Sequence, residues 1–112
     1  MAETNKTVAS TSNIALLVLS LVSEEPLYGY RIIKELDARS NSYFQMKEGS
    51  LYPVLHQLEK DGLVKTEWRQ QEGKPNRRYY TITAKGSKAL AQARGEYEAH
   101  SNAMKLVLEF GR

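Results

Sequence analysis

Residues 49–68 have the sequence GSLYPVLHQLEKDGLVKTEW, in which a helical pattern gives way to an extended one. The apolar residues of the first half recur with the period of a helix and share one face: Leu51, Leu55 and Leu58. Pro53 is tolerated in a first helical turn, where backbone N–H groups have no helical partner, so the helix is predicted to begin at about Ser50. Gly62 is predicted to end it in a left-handed conformation.

Beyond this helix, apolar and polar side chains alternate at every second residue, which is the pattern of a β-strand. In a first run, Val64, Thr66 and Trp68 alternate with charged residues. In a second run, Tyr80 is in phase with Ile82, and we expect both in the core. The intervening residues 70–76 are rich in turn-forming types. The pattern predicts a two-stranded hairpin with a long tip.

Two helices are predicted before this stretch and one after it. Residues 14–22 are apolar almost all round, which favours a buried helix, although so short a run is also compatible with a strand. Residues 28–39 carry a helical stripe made of Tyr28, Ile32, Ile33 and Leu36. We expect this stripe to pack on the leucines of the next helix. The order of elements is typical of a winged helix-turn-helix, so the predicted class is mainly α with a two-stranded β-hairpin.

A long C-terminal helix completes the predicted fold. Thr83 can cap it, and the pattern continues from Ala84 to about Phe110, a length of about 40 Å. So small a domain cannot cover such a helix, and we expect its apolar stripe to form a dimer interface with a second copy. The interface residues predicted are Leu90, Ala93, Tyr97, Met104 and Val107. The predicted divisions are a flexible segment 1–10, a winged helix-turn-helix domain 11–83 and a dimerisation helix 84–112.

Composition excludes several classes of protein. The 112 residues include no cysteine, which removes a disulfide framework, a thiolate metal site and a cysteine nucleophile. The longest apolar run is too short to cross a bilayer, so we expect no membrane partner and a cytoplasmic location. His56 and His100 have no ligand-spaced companions, so no metal is expected. Because no nucleophile elbow or phosphate loop occurs either, we expect no cofactor and no enzymatic activity.

The net charge of +3 is concentrated in one short segment. Residues 65–78 hold five basic and two acidic residues, and the rest of the chain is neutral. A basic patch on a neutral body suggests a polyanionic partner, although a solvated hairpin tip is an alternative interpretation.

Three stretches resemble the PadR family of bacterial transcriptional regulators. They are residues 26–32 (PLYGYRI), residues 48–64 (EGSLYPVLHQLEKDGLV) and residues 73–80 (GKPNRRYY). The short C-terminal part resembles the compact subfamily with one dimerisation helix. The resemblance implies a homodimeric DNA-binding repressor that is commonly released from DNA by small aromatic or drug-like compounds. One branch of the family sandwiches flat drugs between tryptophans of the last helix, whereas the only tryptophan here is Trp68.

The helix after residue 48 is the candidate recognition helix, and the hairpin is the candidate wing. Hydroxyl groups near the helix start can contact phosphates or base edges, and Gln57 can pair with adenine. The wing arginines can clamp phosphates or enter a minor groove. The resemblance implies that Tyr28 anchors the DNA backbone, and packing against the hairpin is equally compatible with the sequence. The predicted DNA-binding residues are Tyr28, Gly49, Ser50, Tyr52, Pro53, His56, Gln57, Lys74, Arg77 and Arg78, and the predicted partner is an inverted-repeat duplex.

The middle of the last helix is a candidate effector pocket. Its residues mix aromatic, polar and flexible groups, as small-molecule sites do: Tyr97, His100, Ser101 and Met104. The same residues also suit an imperfect helix pairing without a ligand. An alternative function for the whole chain is a winged-helix module for protein–protein assembly, with no sequence-specific binding of DNA.

Overall fold

A computed structural model describes residues 13–110, which form four helices and three strands. In chain order these are α1 (Asn13–Glu24), β1 (Leu27–Tyr28), α2 (Gly29–Arg39), α3 (Glu48–Lys60), β2 (Val64–Gln70), β3 (Asn76–Ile82) and α4 (Ala84–Phe110). The predicted flexible segment 1–10 lies outside the described residues. Within residues 13–110, no helix combines the length and apolar character needed to cross a membrane.

Helix α1 is the centre of the core. Val18 and Leu19 are fully buried, and Ala15, Leu21 and Val22 are nearly so, which places buried residues on most sides of the helix. The prediction of a buried helix rather than a strand is confirmed. Helices α2 and α3 pack beside it, and the expected apolar contact is present, since Ile32 and Leu36 share one cluster with the leucines of α3.

Helix α3 begins at Glu48, two residues before the predicted start. Pro53 is therefore inside the helix and not in its first turn, so that part of the prediction is wrong. Pro53 has no N–H group, so the carbonyl of Gly49, one turn earlier, lacks its usual hydrogen bond within the helix. Gly49 is close to the start of the helix, and the missing hydrogen bond therefore affects only one turn. At the other end Gly62 has φ +77°, and Leu63 N–H donates to Leu58 O at 2.9 Å, so the left-handed cap is confirmed.

The predicted hairpin is present, and a third strand joins it. Strand β2 pairs with β3 from Val64 opposite Ile82 to Gln70 opposite Asn76, and β1 lies on the other side of β3, giving the order β1-β3-β2. Tyr28 pairs with Tyr79 in this sheet, so the second helix starts at Gly29 rather than at Tyr28 as predicted. Tyr80 is buried, as expected from its phase.

Helix α4 has the predicted bounds, and its first turn is tied to the end of α3. The Thr83 hydroxyl accepts from Gly86 N–H at 2.9 Å and donates to Gly62 O at 2.7 Å. Lys85 Nζ donates to Asp61 O at 2.9 Å. Hydrogen bonds therefore fix the angle at which α4 leaves the domain.

Two of the residues predicted to form the dimer interface are used inside the chain instead. Leu90 and Ala93 are 8% and 9% exposed, and α4 packs along α1 in this region. They can offer little surface to a second copy, because α1 already covers them. The remaining predicted interface residues, Tyr97, Met104 and Val107, are exposed in the half of α4 that projects from the domain.

Candidate nucleic-acid interface

The exposed side of α3 carries the predicted contact residues. The helix turns its leucines inward, which leaves the other side to solvent: Gly49, Ser50, Tyr52, Pro53, His56 and Gln57 are all exposed. Polar and aromatic groups thus share one accessible side of the helix. One of them is already engaged, because Gln57 Nε2 donates to Asp61 Oδ1 at 3.0 Å. Gln57 must leave this partner before it can pair with a base.

Lys74 at the tip of the wing is accessible to solvent. Gly73 has φ +75°, a conformation that glycine adopts at no steric cost, and Lys74 N–H donates to Gln71 O at 2.9 Å across the turn. Lys74 is exposed. The tip therefore places a cation at the far end of the hairpin, where the sequence predicted one.

Arg77 and Tyr28 meet on the outer face of the sheet. The Arg77 guanidinium lies 4.4 Å from the centre of the Tyr28 ring. Tyr28 also meets the edge of Tyr79 at 5.3 Å, and Arg69 lies 4.9 Å from the Tyr79 ring. Arg69 and Arg77 are cross-strand partners, and each is placed on an aromatic ring that attracts its charge. Of the two alternatives for Tyr28, the chain itself shows packing against the hairpin.

Arg78 is held by helix α3. Its Nη2 donates to both carboxylate oxygens of Glu59, at 2.9 and 3.0 Å, and the Thr66 hydroxyl donates to the same carboxylate at 3.2 Å. The guanidinium is partly buried, so the pair is better shielded than a surface ion pair. Arg78, a predicted DNA contact, thus joins the wing to α3, and its bonds to Glu59 compete with any contact to a phosphate. Burial beside this pair raises the pKa of the Tyr80 hydroxyl.

A groove of about 430 Å³ separates α3 from the wing. Predicted contact residues lie on both of its sides, with Tyr52 on α3 and Arg77 on β3. Several other residues that line the groove are not among the predicted contacts: Tyr30, Glu48, Trp68 and Asn76. Trp68 is the most exposed of the aromatic ones, at 63%. The groove brings the helix start, the wing and the beginning of α2 together as one surface.

The predicted effector residues do not surround a cavity within the described chain. Tyr97, His100, Ser101 and Met104 follow one another along one side of α4. Tyr97 and Met104 are 56% and 47% exposed, and His100 is exposed as well. A pocket at this place therefore requires a second surface, which the single chain does not supply. Among residues 13–110, no group of His, Cys, Asp and Glu side chains is arranged to hold a metal ion.

An ion-pair cluster ties α1 to α2 on another side of the molecule. Arg39 makes two hydrogen bonds to Glu24, at 2.8 and 2.9 Å, and a third to Glu35 at 2.8 Å. Hydrogen bonds from the guanidinium lower the pKa of both carboxyls. The cluster borders a second cavity of about 330 Å³, whose apolar lining includes Leu17 and Phe44.

Comparisons with known proteins relate this chain to transcriptional regulators of the PadR family. The sequence profile of the transcriptional regulator PadR-like family matches residues 18–92. A transcriptional regulator of Mycobacterium tuberculosis is 34% identical over 85 residues, which are 76% of this chain and 76% of that protein. A crystal structure of a PadR family transcription regulator from Clostridium difficile is 30% identical, with a TM-score of 0.77, and the match covers 87% of this chain and 99% of that one.

The fold is also similar to that of Bacillus subtilis PadR, whose structure was determined in complex with operator DNA. The TM-score is 0.65 at 23% identity, and the match covers 73% of this chain and 46% of that chain.

Proposed function

This chain belongs to the PadR-like family of transcriptional regulators, and we propose that it acts by binding a specific double-stranded DNA operator as a homodimer. The observation that carries the proposal is the groove surface, on which the exposed start of α3 faces a basic wing. Helix starts and cationic side chains bind phosphates, and polar side chains at the start of a recognition helix reach base edges. The operator complex of Bacillus subtilis PadR, which has the same fold, supports the same partner here.

The homodimer is supported by apolar side chains that the single chain leaves uncovered. They lie in the projecting half of α4 and have exposed fractions from 47% to 74%: Tyr97, Met104, Leu106, Val107, Leu108 and Phe110. Soluble monomers rarely expose apolar groups so close together. Pairing of two such helices would present two α3 helices to one duplex, and the operator is then an inverted repeat with half-sites about 34 Å apart.

We further propose that the protein is a repressor released by a small aromatic effector. The candidate site is formed by Tyr97, His100, Ser101 and Met104 once a second copy covers them. Two ring-bearing side chains, a flexible thioether and a hydroxyl offer the mixture of apolar and polar groups that small-molecule sites use. The effector must prefer the dimer geometry that does not bind DNA, because equal affinity for both states shifts nothing.

Salt-dependent DNA binding tests the proposal. Operator duplex is recovered by a genome-wide pull-down of bound DNA, and its affinity is measured by anisotropy beside that of a random duplex. Lys74→Ala and Arg77→Ala should weaken binding to both duplexes and lower the log–log salt slope by about one per lost phosphate contact. Lys105→Ala removes the same charge from the projecting half of α4 and should leave the slope unchanged. Gln57→Ala should instead reduce discrimination at one base pair by about 1–3 kcal/mol.

The same measurements can contradict the proposal. If the parent protein binds the recovered duplex no better than random DNA, and neither wing variant changes the salt slope, the groove surface does not bind DNA. The assembly-module alternative then accounts better for the wing.

A further inference from the structure

We infer that Trp68 contacts DNA directly, with its indole forming one wall of the groove and packing on the sugar–phosphate backbone of a single strand. The inference rests on the proposed function and adds a residue that sequence patterns assign to the inner side of a strand. It also names what the groove holds: the deoxyribose and phosphate units of one strand, which are the same at every nucleotide.

The position of Trp68 follows from the register of the hairpin. Residues of β2 that share its side pass from buried Val64, at 2% exposure, through half-buried Thr66 to Trp68, at 63%. The strand therefore runs beyond the edge of the core before Trp68 is reached. A large apolar side chain contributes little to folding at such a place, whereas tryptophan is among the residues that contribute most to binding interfaces.

The opposite wall of the groove has matching chemistry. Tyr52 on α3 is 56% exposed, and Tyr30 at the start of α2 is 54% exposed. On the wing side Arg77 borders the same groove, with its guanidinium resting on the Tyr28 ring at the outer face of the sheet. Aromatic faces suit the apolar surface of deoxyribose, and guanidinium groups suit phosphate. A DNA strand offers both kinds of surface in alternation, and its negative charge is complementary to the basic wing.

The separation of the two walls is set before DNA arrives. Glu59 of α3 binds Arg78 of β3 and Thr66 of β2, so three hydrogen bonds to two partner residues join α3 to both strands of the wing. Trp68 lies directly opposite Arg78 in the hairpin register. Because its strand is fixed in this way, the indole needs little ordering on binding, which favours affinity.

Trp68 is the chain's only tryptophan, and its fluorescence therefore reports on this groove alone. The emission of the parent protein is followed while operator or random duplex is added, and binding is measured in parallel by anisotropy of a labelled duplex. We expect the emission to change with both duplexes and to saturate at the stoichiometry given by anisotropy. Trp68→Ala should lower affinity for both duplexes by about tenfold, which is the lower part of the range for an aromatic ring stacked on a nucleic-acid base.

The salt dependence distinguishes this contact from a charged one. Since indole carries no charge, Trp68→Ala should leave the log–log salt slope unchanged, whereas Arg77→Ala lowers it. Trp68→Phe should restore most of the affinity. Tyr43→Ala is a matched control, because Tyr43 is exposed and its ring meets Phe44 at the second cavity, outside the groove. Circular dichroism checks that each variant is folded.

Two results overturn the inference in distinguishable ways. If anisotropy reports tight binding while the emission stays constant and Trp68→Ala binds as well as the parent, Trp68 is not a contact, and the proposed function stands. If anisotropy reports no binding of either duplex, the proposed function fails and the inference fails with it.

Discussion

Gly86 lies where α4 leaves the domain, and a single added methyl group at this position should destabilise the fold severely. A Cβ built on Gly86 lies 2.0 Å from Leu63 O and 2.8 Å from Ile82 Cγ1. Ordinary contact distances are about 3.5 Å or more, so α4 would have to move by more than about 1 Å. Such a shift strains the hydrogen bond from Thr83 N–H to Leu63 O, now 3.1 Å, and the one from the Thr83 hydroxyl to Gly62 O.

The loss of stability expected for Gly86→Ala is the sum of the overpacking cost and the weakened hydrogen bonds, less the gain in helix propensity. Overpacking of this kind costs about 1–3 kcal/mol, and each weakened hydrogen bond about 1 kcal/mol. Alanine gains back about 1 kcal/mol through its higher helix propensity. We therefore expect Gly86→Ala to lower the free energy of unfolding by about 3 kcal/mol, a large fraction of the stability of a small domain. In urea this lowers the midpoint by about 1.5 M, for a slope of about 2 kcal/mol/M.

Gly95 provides the matched control in the same helix. It is exposed, and a Cβ added there meets nothing within 4 Å. Gly95→Ala should therefore raise the free energy of unfolding by about 0.5–1 kcal/mol. Both variants are unfolded in urea at one protein concentration, because a dimer's stability depends on concentration. If Gly86→Ala unfolds within about 0.5 kcal/mol of the parent, the close packing of α4 on the turn after α3 is not as described.

Three further perturbations have defined outcomes. Glu59→Gln removes the charge that holds the wing on α3. The free energy of operator binding, measured by anisotropy, should fall by more than the free energy of unfolding measured in urea. Truncation after Arg94 removes the exposed apolar half of α4 and should yield a monomer or an unstable protein; a well-folded dimer in sedimentation would contradict this. Arg39→Ala should return the lowered pKa values of Glu24 and Glu35 towards their ordinary range, as followed by carboxyl NMR titration. Because these pKa values are lowered in the fold, the stabilisation is present at neutral pH and is lost as pH falls through them, so parent and variant should converge in acid.

Periodic features of this chain were predictable from its sequence, and features that depend on distant partners were not. Helix α4 and the leucine face of α3 follow from spacing alone, and both predictions are confirmed. Strand β1 has two residues, too few to display a period. The pairing of Arg78 with Glu59 joins residues 19 positions apart, which no local pattern encodes. The apolar stripe of α4 predicted that the helix packs on an apolar partner, but the same stripe is compatible with a second copy and with α1 of the same chain. Leu90 is buried within the chain, where α4 packs along α1.

The candidate contact residues divide in the same way. Sequence spacing placed the exposed groups of α3 together correctly, because a helix with one buried face has only one side left for solvent. It placed Trp68 on the same side of its strand as Val64 but did not predict its exposure, because alternation gives the side of a strand on which a residue lies and not the distance that the core extends beneath it. The exposure of Trp68 depends on where the core ends along β2, which is a property of packing.

The junction between α3 and α4 connects the two halves of the proposed function mechanically. The last turn of α3 and the first turn of α4 share a cluster of hydrogen bonds through Thr83 and Lys85, and Gly86 leaves no space between them. In the proposed homodimer, a rotation of α4 would therefore be passed on to α3. Glu59, on the same helix, carries the wing along as well. In the proposed homodimer, α3 and the wing would therefore move together, and a small change in the angle between the two α4 helices would alter the spacing of both proposed DNA-binding surfaces.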